Sequence, residues 1–265
     1  MILTSRGIPA HVEQTGEGSP ILLLHGWGPS SVTLEKHLRP LANRLKKNHQ
    51  VTMVEFPGHG TSGLPDENYE VSDYALYVLS IMDQLNIEQP VVIAHSFGGR
   101  VALWLAANEP QRVGPLVLTG CAGLRPKPNF KSWLRKTTFK LGRLGLDVMG
   151  LFPKLRPQKD KWLTALRKEF SSNDYLATPE SLRGSFSRVV KKDLRPLLPK
   201  IKQQTLLIWG ENDTATPLWM GRVMEKELQN ARLLVYEADD HFAYKNQLSR
   251  FVTAVEVFLE EVEEA

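Results

Sequence analysis

Val91-Val92-Ile93-Ala94-His95-Ser96-Phe97-Gly98-Gly99 is the stretch on which the fold turns. A β-branched apolar run stops at a serine fenced by small residues, and a helical pattern over 100–107 begins at once. Strand to helix through so tight a turn strains the middle residue and thrusts its side chain out at the C-terminal edge of a sheet. This is the nucleophile-elbow pattern, with Ala94 in place of the usual first glycine. A serine that only caps a helix is the plainer reading, and the rest of the chain has to decide between the two.

Working outward, apolar runs at 20–24, 51–56, 115–119, 205–209 and 232–236 end at His25-Gly26, Pro57-Gly58, Gly120, Gly210 and near Asp239. They lack alternation, which predicts strands covered on both faces. Residues 1–15 read as a hairpin about Arg6-Gly7. Helical patterns lie between the strands, at about 33–45, 71–85, 97–108, 218–228 and 247–262. The alternation predicts an α/β fold with a mostly parallel, doubly wound sheet. It fails only over 124–202, where prolines break helix-like segments and no strand is convincing. The expected organisation is a core of 1–123 and 203–265, with a basic helical cap at 124–202 inserted between two sheet strands.

Size and composition fit this plan. The 265 residues are 42% hydrophobic and 23% charged, as globular chains are. The single cysteine, Cys121, excludes an internal disulfide. No apolar run approaches the roughly 18 residues of a membrane span, and the N-terminus lacks a signal-peptide pattern, so the expected location is cytoplasmic. The net charge of +4 hides a division: residues 124–202 carry 20 Lys and Arg against 6 Asp and Glu, and the remainder 13 against 23. Charge so divided marks the middle segment as a unit with its own surface.

In open parallel sheets ligands bind beyond the carboxyl ends of the strands, and the chemistry-bearing residues fall there. A serine hydroxyl needs an adjacent base, usually a histidine held by a carboxylate. Asp213 follows the strand at 205–209, and His241 follows the strand at 232–236. The order Ser96, Asp213, His241 is the one this scaffold uses. Asp213 as a loop or capping aspartate is the plainer alternative, and Glu211 the weaker rival acid. Oxyanion donors are expected from the backbone N–H groups of Phe97 and of Trp27 in His25-Gly26-Trp27-Gly28. His25 reads as structural. Gly58-His59-Gly60-Thr61-Ser62-Gly63 matches a dinucleotide fingerprint but opens no helix, so no nucleotide cofactor is expected. Metal ligation has no support in spacing. Cys121 reads as a small buried hydrophobe.

Together these residues resemble the α/β-hydrolase superfamily over nearly the whole chain. The resemblance rests on His25-Gly26-Trp27-Gly28, Phe56-Pro57-Gly58-His59-Gly60-Thr61-Ser62, the serine elbow, Trp209-Gly210-Glu211-Asn212-Asp213 and Asp240-His241-Phe242. Within it the chain looks most similar to small bacterial serine carboxylesterases, among them the pimeloyl-carrier-protein methyl ester esterases. The resemblance implies a cofactor-free carboxylic-ester hydrolase acting on a small-molecule ester through an acyl-enzyme. Thioesterase, carbon–carbon bond hydrolase or perhydrolase activity on the same scaffold stays open. So does a ligand receptor with a retained hydrolase pocket. The basic segment at 129–140 is amphipathic. It is either a solvated face or the seat of an anionic partner: a carrier protein, a coenzyme A ester or an acidic membrane surface. Nucleic acid is not expected, since no reading motif accompanies the charge.

Overall fold

The computed structural model describes residues 1–28, 34–126, 130–149, 151, 156–170 and 173–264. Eight strands form one sheet: β1 (Ile2–Ser5), β2 (Ile8–Thr15), β3 (Ser19–Leu24), β4 (His49–Val54), β5 (Val91–His95), β6 (Leu116–Thr119), β7 (Thr205–Gly210) and β8 (Ala231–Tyr236). Their order is β1-β2-β4-β3-β5-β6-β7-β8. The hairpin β1–β2 joins β4 antiparallel, and every pairing from β4 through to β8 is parallel. Arg6 and Gly7, with φ of 51° and 80°, turn the hairpin.

The unbroken apolar runs have a direct cause. Successive strand residues point to opposite faces, and both faces are covered. Leu22, Leu24, Val92, Ala94, Leu207 and Trp209 enter one core with α2 (Val71–Gln84), α3 (Phe97–Asn108) and α8 (Trp219–Glu227). Ile21, Leu23, Met53, Ile93, Val117 and Ile208 enter the other with α1 (Arg39–Leu45), α9 (Ala243–Asn246) and α10 (Leu248–Glu263). Each such Leu or Ile, fully buried, stabilises the fold by roughly 1.5–3 kcal/mol. β8 departs from the expectation. It pairs with β7 alone, and its Arg232 and Leu234 stay exposed, because an edge strand has cover on one flank only. The helix expected over 33–45 begins as a π-helical turn at Leu34–Leu38 and continues as α1; residue 33 lies outside the described residues.

The chain divides into two compact units, Met1–Arg125 with Glu180–Ala265, and Pro126–Pro179. The second holds α4 (Phe130–Met149), α5 (Arg156–Phe170) and α6 (Asn173–Ala177). Asp147 on α4 pairs with Lys159 on α5 at 3.1 Å. The inserted segment was expected to run to 202, but its last part packs with the first unit. In α7 (Glu180–Lys191), Ser185 Oγ accepts from the Tyr69 N–H at 2.9 Å. Arg188 donates to the Asn68 carbonyl at 2.9 Å, and Val189, Leu194 and Leu198 lie in the first core. Among the described residues of 124–202 none is in a strand.

Candidate active site

The turn between β5 and α3 bends as the sequence predicts. Ser96 has φ 51° and ψ −109°, a left-handed conformation that costs a side-chain-bearing residue of order 1–3 kcal/mol unless neighbours hold it. They do. The Ser96 N–H donates to the Thr119 carbonyl at 3.1 Å, and the Ser96 carbonyl accepts from Ala122 at 3.0 Å and Gly99 at 3.1 Å. The next two glycines are demanded by space. A Cβ on Gly98 would stand 2.5 Å from the Leu24 carbonyl oxygen and 2.8 Å from that of His25. On Gly99 it would strike the Cys121 sulfur.

That close approach sets the loop after β3 against the elbow. A Cβ on Gly26 would lie 2.8 Å from His95 Nδ1 and 3.3 Å from Ser96 Cβ, whereas one on Gly28 would meet nothing within 4 Å among the described residues. Of the two glycines flanking Trp27, the first is therefore the one the packing requires. The Trp27 and Phe97 rings meet edge to face with centroids 5.1 Å apart, and Phe186 of α7 meets Trp27 at 5.2 Å. His25 is fully buried. It donates from Nδ1 to the Gly26 carbonyl at 2.7 Å and accepts the Phe56 N–H on Nε2 at 3.1 Å. Burial holds its pKa well below the ordinary value of 6.5, so it stays neutral and fixes the loop.

Asp213 and His241 come together from the ends of β7 and β8. Asp213 Oδ2 lies 2.8 Å from His241 Nδ1. With Asp213 as carboxylate, that bond places the proton on Nδ1 and leaves Nε2 with a lone pair. Oδ1 accepts the N–H groups of Ala215 at 2.9 Å and Thr216 at 2.8 Å. Glu211 points elsewhere, accepting the Ala238 N–H at 3.1 Å. Ser96 adjoins this pair through its neighbour. His95 Nε2 lies 3.0 Å from the His241 carbonyl, and the two rings are 4.6 Å apart. Gly120, at φ 50°, lies under both partners. A Cβ there would stand 3.0 Å from His241 Nδ1 and 3.2 Å from Asp213 Oδ2.

Two contributors escaped the sequence. The Thr216 hydroxyl lies 2.8 Å from Asp213 Oδ2, 2.9 Å from the Gly120 carbonyl and 3.2 Å from His241 Nδ1. Its one proton goes to either oxygen acceptor. The three-residue offset from Asp213 carried a signal, since an aspartate bonding amides two and three residues on is a local turn. His95 carried none beyond standing next to Ser96. Its burial keeps the ring neutral, with Nε2–H donating to the His241 carbonyl.

The remaining candidates read simply. Cys121 is buried and its thiol pushed up to about 12, so no thiolate forms at neutral pH. The Gly58–Gly63 loop closes on Glu55, whose Oε2 takes the Thr61 N–H at 2.7 Å and the Thr61 hydroxyl at 3.2 Å. Among the described residues no group of three or more His, Cys, Asp or Glu is placed to hold a metal, and no helix is long and apolar enough to cross a membrane.

Comparison with known proteins bears on the fold. A family model described as alpha/beta hydrolase fold matches residues 19–247. A 2-hydroxymuconate semialdehyde hydrolase of Pseudomonas sp. (strain CF600) is 26% identical over 99% of this chain and 94% of its own length. A pimeloyl-[acyl-carrier protein] methyl ester esterase of Nitrosomonas europaea is 30% identical over 92% of this chain and 96% of its own. The solved meta-cleavage product hydrolase of Pseudomonas fluorescens IP01 is 25% identical, with a TM-score of 0.73 over 99% of this chain and 98% of that one.

Proposed function

Because the chain belongs to the alpha/beta hydrolase fold family, we propose that it cleaves carboxylic esters in two steps through an acyl-enzyme on Ser96. Ser96 attacks the ester carbonyl as His241 Nε2 takes its proton. Asp213 holds His241 by the 2.8 Å bond to Nδ1 and stabilises the imidazolium. The amides of Trp27 and Phe97 receive the oxyanion. The alcohol leaves with the proton from His241. Water, activated by the same histidine, then frees the acid and restores the serine. The observation that carries the reading is the Asp213–His241 pair, whose histidine meets His95, the residue before the strained Ser96 at φ 51°.

Carbon–carbon bond hydrolysis is the second reading, favoured by relatives named as 2-hydroxymuconate semialdehyde and 2-hydroxy-6-oxo-6-phenylhexa-2,4-dienoate hydrolases. Ester cleavage asks less of the site. An alkoxide leaves with the proton His241 already holds, whereas a carbon leaving group needs its dienol converted to a ketone first. The two separate when p-nitrophenyl esters of graded acyl length are run beside a 2-hydroxy-6-oxo-dienoate. A much higher kcat/KM on the esters is expected, and the reverse would transfer the assignment to carbon–carbon cleavage. An organophosphonate should label the wild-type protein on Ser96. Ser96→Ala, folded by circular dichroism, should lose both labelling and turnover. Undiminished turnover in that variant would sink the mechanism.

A further inference from the structure

The second unit, Pro126–Pro179, holds an unusual share of the exposed large hydrophobic side chains. Leu134, Leu141, Leu144, Val148, Leu151, Trp162 and Leu176 are half of those found exposed among the described residues. Leu141 is 63% exposed, Leu144 61%, Leu151 75% and Trp162 64%. On α4, positions 134, 141, 144 and 148 repeat at i, i+7, i+10 and i+14, which places them on one face within about 80° of arc. Phe139 and Leu146, half-buried, fall roughly opposite. The helix therefore has an inward apolar anchor and, separately, an apolar stripe turned to water.

The charge of the same unit names what would cover that stripe. Residues 126–179 hold twelve Lys and Arg against four Asp and Glu, a net +8. Lys140, exposed, lies about 40° beyond one edge of the stripe. A long helix with a narrow exposed Leu and Val face, in a unit of net positive charge that also exposes a Trp, suits the boundary between headgroups and acyl chains. Apolar residues supply the buried area there, and the cations supply attraction to anionic lipid. An acidic protein would use the charges but leave four aliphatic side chains on the contact helix without a stated role.

We propose that the outer face of α4, with Leu151 and Trp162, docks on an anionic lipid surface. The full-length protein should co-sediment with vesicles of phosphatidylcholine containing phosphatidylglycerol and not with phosphatidylcholine alone, and added salt should weaken binding. Leu141→Ser with Leu144→Ser should lower the partition coefficient by about tenfold or more, because buried aliphatic area carries the insertion. Bound wild-type protein should show a blue shift of tryptophan emission that Trp162→Phe diminishes. The serine variant should hydrolyse a water-soluble ester at the wild-type rate, a readout separate from the Ser96 mechanism. Absent binding, binding indifferent to lipid charge, or binding untouched by the serines would overturn the proposal. So would a dimer in sedimentation that the serines abolish, or an acidic acyl carrier protein binding where vesicles do not.

Discussion

At the scale of single residues, Asp213 does two things the sequence left open between them. One oxygen closes a turn on the amides of Ala215 and Thr216, and the other faces His241. This bears on how the proposed mechanism can be tested. In Asp213→Asn the side-chain oxygen can still close the turn, so the fold survives. Its NH₂ then meets His241 Nδ1 as a donor, which drives the ring proton to Nε2, where the lone pair is needed. kcat on an ester should fall on the order of 10³–10⁴ with little change in KM. A fall under about tenfold would remove Asp213 from the mechanism. Ser96, Asp213 and His241 could be proposed from the sequence because each follows a strand end in an ordered pattern. Thr216 and His95 were not, because a neighbour in sequence becomes a neighbour in a site only once the loop's path is known.

At the scale of elements, the strands were legible and the limit of the insertion was not. An apolar run without alternation requires two covered faces, and that holds for β3 through β7. The helix α7 looked like more of the basic insertion because it has Arg183, Arg188 and Lys191. A buried guanidinium adds to the Ser185–Tyr69 and Arg188–Asn68 bonds that tie it to the first unit. Arg100 of α3 donates to the carbonyls of Val189 at 3.0 Å and Lys192 at 2.9 Å. Burial lowers its pKa to about 10, which still leaves it charged at neutral pH. Arg100→Met keeps the apolar stem and strands two carbonyls. It should cost roughly 2–4 kcal/mol in urea unfolding, and ester turnover should fall as Phe186 loses its seat against Trp27. An unchanged urea midpoint would show that α7 is held without the Arg100 bonds.

At the scale of the molecule, the interior stores a response to acid. His25, His59 and His95 are buried and neutral, all with pKa values lowered by burial, His59 to about 4. The unfolded chain takes up these protons near 6.5, while the folded one resists until the pH is much lower. Stability is therefore complete above about pH 6.5 and falls as the pH drops toward 4. At 1.36 kcal/mol per unit, His59 alone removes on the order of 3 kcal/mol across that window. The urea midpoint should decline steadily from pH 7 to pH 5, and His59→Gln should shallow the slope. A midpoint flat over that range would mean that these rings find protons or water inside the fold.

The amino-acid order alone determined which segments are strands, that both sheet faces are covered, and which loops carry a serine, an acid and a histidine. These follow from local rules: side-chain period, turn chemistry and chain direction. The tertiary structure decided what each side chain meets: that Gly98 and Gly26 permit two loops to touch, that the Thr216 hydroxyl reaches the Gly120 carbonyl, and that α7 belongs with the sheet. Such contacts join residues far apart in sequence through distances of a few ångströms, and no local pattern encodes them.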